Sequence, residues 1–517
     1  MKFERTKNAT RNILFGSVLK IYQMFIPFLM RTAMIYFMGV QYLGLNSLFT
    51  SVLQVLNLAE SGIGTAMVFS MYKPIVEDDK DTLCALMRLY RNYYRIIGLV
   101  IGIVGVWITP FVPRLISGAV PNELNVYVLY LLNLAATVLS YWLFAYTNSL
   151  LVAHQRTDIS SIVMIITNTL QYGIQLGVIL VLKNYYLYVA AILVTQLLNN
   201  VITAVIVKRM YPQYKPVGDL DKCQKKELNG RIRDLFISKV GGVVLGSMDT
   251  IVISAFLGLT VLAIYQNYFF ILSSVYGLVE IILISITAGI GNSLATETKE
   301  KNYNDMKIIT FMYMWLIGFC ICCFLGLFQT FMEIWVGKNL LFSYDVVVCF
   351  CVYFYVYELT RLFNVFKTAA GVWHEDRLRP LISSIVNLTL NLLTVKKLGV
   401  YGIILSTIIA LAGVEIPWLL QNIFTLMYNR KLFRNYFKDL SIYFSGIIVA
   451  CVLTGSVTKL VSDGSWGAFL ICLIVSCVIP NVVFFCFYHG KQEFRQSVQM
   501  IDRMTKGKLH LELMLFK

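Results

Sequence analysis

Apolar runs bounded by charge, glycine or proline recur along the whole chain, and many reach the roughly 20 residues a helix needs to cross a hydrocarbon core. They predict fourteen transmembrane helices, over 12–38, 41–72, 82–112, 122–153, 158–182, 185–207, 234–258, 262–294, 306–332, 344–370, 376–395, 399–427, 440–461 and 466–489. The expected fold class is an all-α integral membrane protein. The run at 41–72 is interrupted by Ser61-Gly62-Ile63-Gly64, which predicts a kink or local unwinding there.

Basic residues test this count independently, because cytoplasmic loops collect lysine and arginine. With the amino terminus inside, 34 of the 44 lysines and arginines fall in inside segments and 6 in outside ones, as both termini cytoplasmic requires. Four remain within the spans, Lys20, Arg31, Lys239 and Arg361.

Composition agrees. Only 14% of the 517 residues are charged, against about 25% in soluble domains. That excludes an ordinary cytosolic enzyme, a disordered chain and a nucleic-acid-binding domain, despite a net charge of +16. The eleven cysteines sit mostly inside apolar stretches, where they act as small hydrophobes. With four histidines and no zinc-like spacing, neither a metal centre nor a cofactor is expected. The apolar run after the basic start Met1–Arg11 is too long for a cleaved signal peptide, so the first helix should stay in the membrane.

An internal repeat is legible. Phe37-Met38-Gly39-Val40-Gln41-Tyr42-Leu43 returns as Phe256-Leu257-Gly258-Leu259-Thr260-Val261-Leu262, 219 residues on, and Lys20 meets Lys239 at the same displacement. Glu60 meets Glu280, and the segments after His154 and His374 match through Asn168 and Asn391. Two six-helix halves read in the same direction imply lobes about an axis along the membrane normal, enclosing a cavity that rocking exposes to each side in turn. The expected organisation is a lobe at 1–207, a basic connector at 208–233, a second lobe at 234–427, helices 13 and 14 within 428–489, and an amphipathic cytoplasmic tail at 490–517. The connector suits either anionic headgroups or a solvated linker, and the tail reads as a helix lying on the surface.

The segment Tyr42-Leu43-Gly44-Leu45-Asn46-Ser47-Leu48-Phe49, continued by Val55-Leu56-Asn57-Leu58-Ala59-Glu60-Ser61-Gly62-Ile63-Gly64-Thr65-Ala66, resembles the second helix of Wzx-type polysaccharide flippases. These belong to the multidrug, oligosaccharidyl-lipid and polysaccharide exporter superfamily, whose fourteen-helix plan matches essentially the whole chain. The resemblance implies movement of an undecaprenyl-diphosphate-linked oligosaccharide from the inner to the outer leaflet of a bacterial cell membrane. The pathway would be O-antigen, capsule or exopolysaccharide assembly, with polysaccharide polymerase and glycosyltransferases as further partners beside the membrane lipids.

Charge within a span costs about 2.5–3.5 kcal/mol at mid-membrane, so each such residue is a functional candidate. Lys20, Arg31 and Lys239 are candidates for contact with the substrate diphosphate, or for snorkelling to the interface. Glu60 and Glu280, related by the repeat, are candidates for coupling to a proton or sodium gradient, or for an intramembrane ion pair. Asp249 is a candidate gate partner of Arg31. Glu358 and Arg361, three apart on one helical face, are expected to form a structural ion pair. Glu415, close to Pro417, is expected to satisfy a kinked backbone, and His154 and His374 to anchor loops. Trp107, Tyr141, Trp142, Trp335 and Trp466 fit an interfacial aromatic belt.

Other classes predict different features. A membrane glycosyltransferase or polymerase needs a sizeable outside loop carrying catalytic acids or bases, but the outside loops are short and Glu123, Asp345 and Asp463 stand alone. A non-enzyme is therefore expected. Within transporters, a lipid II flippase and a drug/cation antiporter are the alternatives, and cations in the spans favour an anionic substrate.

Overall fold

The computed structural model describes residues 5–118, 120–461 and 464–504. They form helices α1 (Arg5–Phe37), α2 (Val40–Leu56), α3 (Ile63–Glu77), α4 (Lys80–Ile108), α5 (Val126–Trp142), α6 (Asn148–Ala153), α7 (Thr157–Gly177), α8 (Tyr185–Met210) and α9 (Lys222–Leu257). There follow α10 (Leu259–Thr296), α11 (Lys299–Val336), α12 (Tyr344–Ala369), α13 (Arg379–Leu398), α14 (Val400–Ala410), α15 (Ile416–Asn422), α16 (Arg430–Val461), α17 (Trp466–Tyr488) and α18 (Gln492–Met504). Among the described residues, thirteen spans are long and apolar enough to cross a membrane, and the pair α5 and α6, bent by 49°, makes a fourteenth. The chain is an all-α, multi-pass membrane protein. Outward faces carry bare apolar side chains such as Trp107, Val181 and Leu460, as a lipid-facing surface does.

Several helices overrun the apolar runs at their basic ends, where most lysine and arginine lies. α9 starts at Lys222 rather than 234, α11 at Lys299 rather than 306 and α16 at Arg430 rather than 440. Hydropathy marks only the part of a helix inside hydrocarbon, and a helix continues beyond it with polar residues at no penalty.

The chain divides into two compact units, Met1–Gln266 and Asn267–Lys517. In the first, α9 packs on α2 and α3 instead of joining the helices that follow it. Two glycines of the quoted motif admit this approach. Gly44 faces the Leu259 backbone carbonyl with no room for a Cβ, and a Cβ on Gly62 would lie 2.8 Å from Leu235 Cβ and 3.0 Å from the Phe236 nitrogen. Gly62 also holds φ +96°, a left-handed conformation that side chains resist, after the 3-10 turn Asn57–Glu60. The expected break at 61–64 is thus a local unwinding. The repeat reaches the backbone too: Gly39 and Gly258, 219 apart at matching helix junctions, have φ +117° and +90°.

The connector before α9 is fastened to this unit. Arg88 on α4 donates to the Gly218 carbonyl (2.9 Å) and pairs with Asp219 (3.4 Å), and the His154 ring lies 4.3 Å from Tyr211. In the second unit, α16 and α17 pack on α11. α18 uses its apolar face on protein rather than lipid: Phe494 and Val498 are buried, Phe494 stacks on Trp315 at 5.8 Å, and Glu493 pairs with Lys307 at 3.3 Å.

Candidate substrate and coupling sites

α1 lies along α7 and carries two of the three candidate phosphate contacts. Lys20 is exposed and Arg31 partly buried, near Tyr188. α1 is positioned at its basic end by Asp158, which is fully buried and receives Arg156 Nε at 2.9 Å and Arg11 Nη2 at 2.9 Å. Asn12 completes the attachment, its amide nitrogen donating to the Gln155 carbonyl (3.0 Å) and its oxygen accepting from the Asp158 amide (2.9 Å). Farther along, Tyr22 and Thr169 hydroxyls meet at 3.0 Å. Lys239, on α9 in the same unit, is exposed and donates to Thr65 Oγ1 at 3.3 Å. Asp249 lies on α9, partly buried.

Glu60 closes the unwound stretch after α2 and is held by phenols alone. Tyr94 of α4 donates to Oε1 (2.6 Å), Tyr141 of α5 donates to Oε2 (2.8 Å), and Tyr90 donates in turn to Tyr94 (2.7 Å). Tyr141 is therefore buried beside a carboxylate and not in an interfacial belt, and Trp335 is also buried, whereas Trp107 and Trp466 are exposed. No basic side chain pairs with Glu60 among the described residues.

The second unit solves the same problem with a guanidinium. Arg361 of α12 lies between two carboxylates, with Nη1 3.2 Å from Glu358 and Nη2 3.5 Å from Glu280. Glu358 is fully buried and Glu280 about half exposed. Tyr313 of α11 donates to Glu358, and Arg361 also donates to the Tyr276 carbonyl at 3.2 Å. Tyr94 and Tyr313 are themselves 219 apart, so a tyrosine–carboxylate bond occurs in each unit.

A second repeat-related pair was not singled out in the sequence. Asp376 stands 218 residues after Asp158 and is buried between Lys367 (3.0 Å) and Arg379 (2.7 Å). Arg379 also donates to Glu415, so this glutamate satisfies a guanidinium rather than the backbone beside Pro417. The available signal was the displacement itself, applied to acidic residues in loops. His154 does anchor its loop, bonding to the Leu150 carbonyl at 2.9 Å, while His374 is exposed. Among the described residues no cluster of His, Cys, Asp and Glu could hold a metal.

These units share their fold with solved membrane transporters. No family model matches the chain and no curated protein matches it, but solved structures do. A lipid II flippase, MurJ, in an inward closed conformation superposes with TM-score 0.67 at 15% identity, over 92% of this chain and 99% of that one. An inward-facing multidrug resistance MATE transporter gives 0.58 at 12%, over 81% and 99%. A transporter of the same superfamily from Pyrococcus furiosus, described as having a binding pocket of reversed polarity, gives 0.51 at 14%, over 83% and 95%.

Proposed function

We propose that the chain is a flippase that carries an undecaprenyl-diphosphate-linked oligosaccharide from the cytoplasmic to the outer leaflet by alternating access, for export of a cell-surface polysaccharide. The observation that carries this reading is the state of the cations. Lys20 and Lys239 stand at repeat-related positions on long apolar helices, and neither has a carboxylate partner among the described residues, whereas Arg361 has two. Exposed, uncompensated lysines on a membrane helix suit a phosphate-bearing headgroup, for which Lys acts as a point charge and Arg31 as a fork. A drug cation would be repelled by the same groups.

Glu60, Glu280 and Asp249 are assigned to coupling or gating, with a proton or sodium ion as the coupled species, and Glu358 with Arg361 to structure. The chain sits in the bacterial inner membrane with both termini cytoplasmic, and works beside a polymerase and glycosyltransferases. The lobes at 1–207 and 234–427 are the moving bodies, with the connector, helices 13 and 14 and the tail as attachments. A second reading, a lipid II flippase, is favoured by the similarity to MurJ and requires the same diphosphate chemistry.

The test is depletion in the native host, followed by a leaflet-resolved assay of lipid-linked sugar. Accumulation of the oligosaccharide lipid on the inner leaflet supports the proposal, and accumulation of lipid II alone supports the second reading. Unchanged outward delivery of both overturns them.

A further inference from the structure

In the second unit, a cavity of about 520 Å³ opens at the basic ends of α10 and α11, under α18. Its wall is of two kinds. Ile286 and Ile290 of α10, Phe366 of α12 and Met500 of α18 form an apolar side that runs about two to three turns deep from the α10–α11 junction. Asp305 of α11 and Arg503 of α18 bring one carboxylate and one guanidinium to the same cavity.

Neither charge has an ion-pair partner among the described residues. Asp305 is half-buried, yet it has no ion pair and accepts no side-chain hydrogen bond among the described residues. The neighbouring ammoniums are engaged elsewhere, Lys301 with Glu297 at 2.7 Å and Lys307 with Glu493 at 3.3 Å. Arg503 likewise has no carboxylate within ion-pair distance among the described residues. Asn302 accepts from Ser293 (2.6 Å), and the Tyr428 hydroxyl donates to the Asn302 carbonyl (3.2 Å).

We propose that this cavity binds a zwitterionic aminophospholipid, with its ammonium on Asp305, its phosphate on Arg503 and the upper part of one acyl chain along Ile286, Ile290 and Phe366. Three features select this ligand. The junction at Glu297–Lys301 is where the chain leaves its apolar stretch, which is the level of lipid headgroups. A purely anionic headgroup satisfies Arg503 but faces Asp305 with like charge, and a plain hydrocarbon leaves both charges unsolvated. Only a headgroup carrying both signs on a short linker matches both groups while its chain fills the apolar side.

The experiment is native mass spectrometry of the purified full-length protein in detergent, titrated with phosphatidylethanolamine, phosphatidylglycerol and phosphatidylcholine of identical chains. Phosphatidylethanolamine should bind about tenfold more tightly than phosphatidylglycerol, the worth of one charge-assisted contact. Phosphatidylcholine, whose methylated ammonium donates no hydrogen bond, should fall between them. Asp305→Asn should abolish the preference, Arg503→Gln should weaken all three lipids, and Ile290→Trp, which fills the cavity without altering charge, should lower phosphatidylethanolamine binding about tenfold. Free phosphoethanolamine should compete at least about tenfold more weakly, because the apolar wall gains nothing from it. Equal binding of the lipids to the native protein overturns the proposal. So does a preference that survives both Asp305→Asn and Ile290→Trp, while equal competition by phosphoethanolamine overturns its lipid component. Circular dichroism of each variant confirms that it is folded.

Discussion

Replacing Asp158 by asparagine tests how α1 is held. The carboxylate is fully buried and receives two bonds from Arg156 (2.9 and 3.3 Å) and one from Arg11 (2.9 Å). Removing one partner of a buried ion pair costs about 3–5 kcal/mol when the remaining charge stays dry. Here the Arg156 and Arg11 side chains are 21% and 41% exposed, so both regain water, and the asparagine oxygen still accepts one bond. The expected loss is therefore about 2 kcal/mol, and it acts on the attachment of α1 more than on the whole unit. Hydrogen exchange reads it directly: amides in the first turns of α1 should exchange about 30-fold faster, since each 1.4 kcal/mol is tenfold. Arg11→Gln alone should give about 0.5–1 kcal/mol, as for a half-exposed pair, and almost nothing further in the Asp158→Asn background. Unchanged protection of α1 in Asp158→Asn, or strict additivity of the two substitutions, would refute the clamp.

Gly62→Ala should lower the unfolding free energy by about 2 kcal/mol, because its φ of +96° and its approach to Leu235 both resist a Cβ. Gly242→Ala on α9, where a Cβ meets open space, is the near-neutral control, and equal thermal shifts for the two would count against close packing of α9. Glu358→Gln should destabilise by about 3 kcal/mol, since it removes the buried partner of Arg361, whereas Glu60→Gln, which keeps its phenol bonds, should cost about 1 kcal/mol in the same melt. Burial holds the His154 imidazole below its ordinary range, outweighing its bond to the Leu150 carbonyl. Its neutral form is thus the folded form, so its contribution is present above the unfolded pKa of about 6.5 and is lost as pH falls through the lower folded value. Acidification should lower the protection factors of residues 211–221, measured against the intrinsic exchange rate at each pH, and His154→Phe should remove that dependence.

The spans were legible because hydrocarbon imposes its thickness on apolar runs, and the break at Ser61-Gly62 because a serine and two glycines within four residues weaken a helix where they cluster. The early start of α9 was not, since helix outside the bilayer carries no apolar signature. The repeat located Glu60 and Glu280 in sequence, but not what faces them. Phenols at Tyr94 and Tyr141 and a guanidinium at Arg361 come from other helices, and tyrosine at a span end reads equally well as an interfacial anchor. Asp158 and Asp376 were hidden for a related reason: loop acids look solvated until tertiary structure buries them between basic groups.

The seating of α18 gives the molecule a built-in optical reporter. The Trp315 indole is covered on one side by Phe494, with rings 5.8 Å apart and 17° from parallel, and its Nε1 is tied to Asn481 at 2.8 Å. Lifting α18 would bring water onto that ring and shift its emission to the red. A Trp315→Phe difference spectrum would then follow docking of the tail during turnover with no added label.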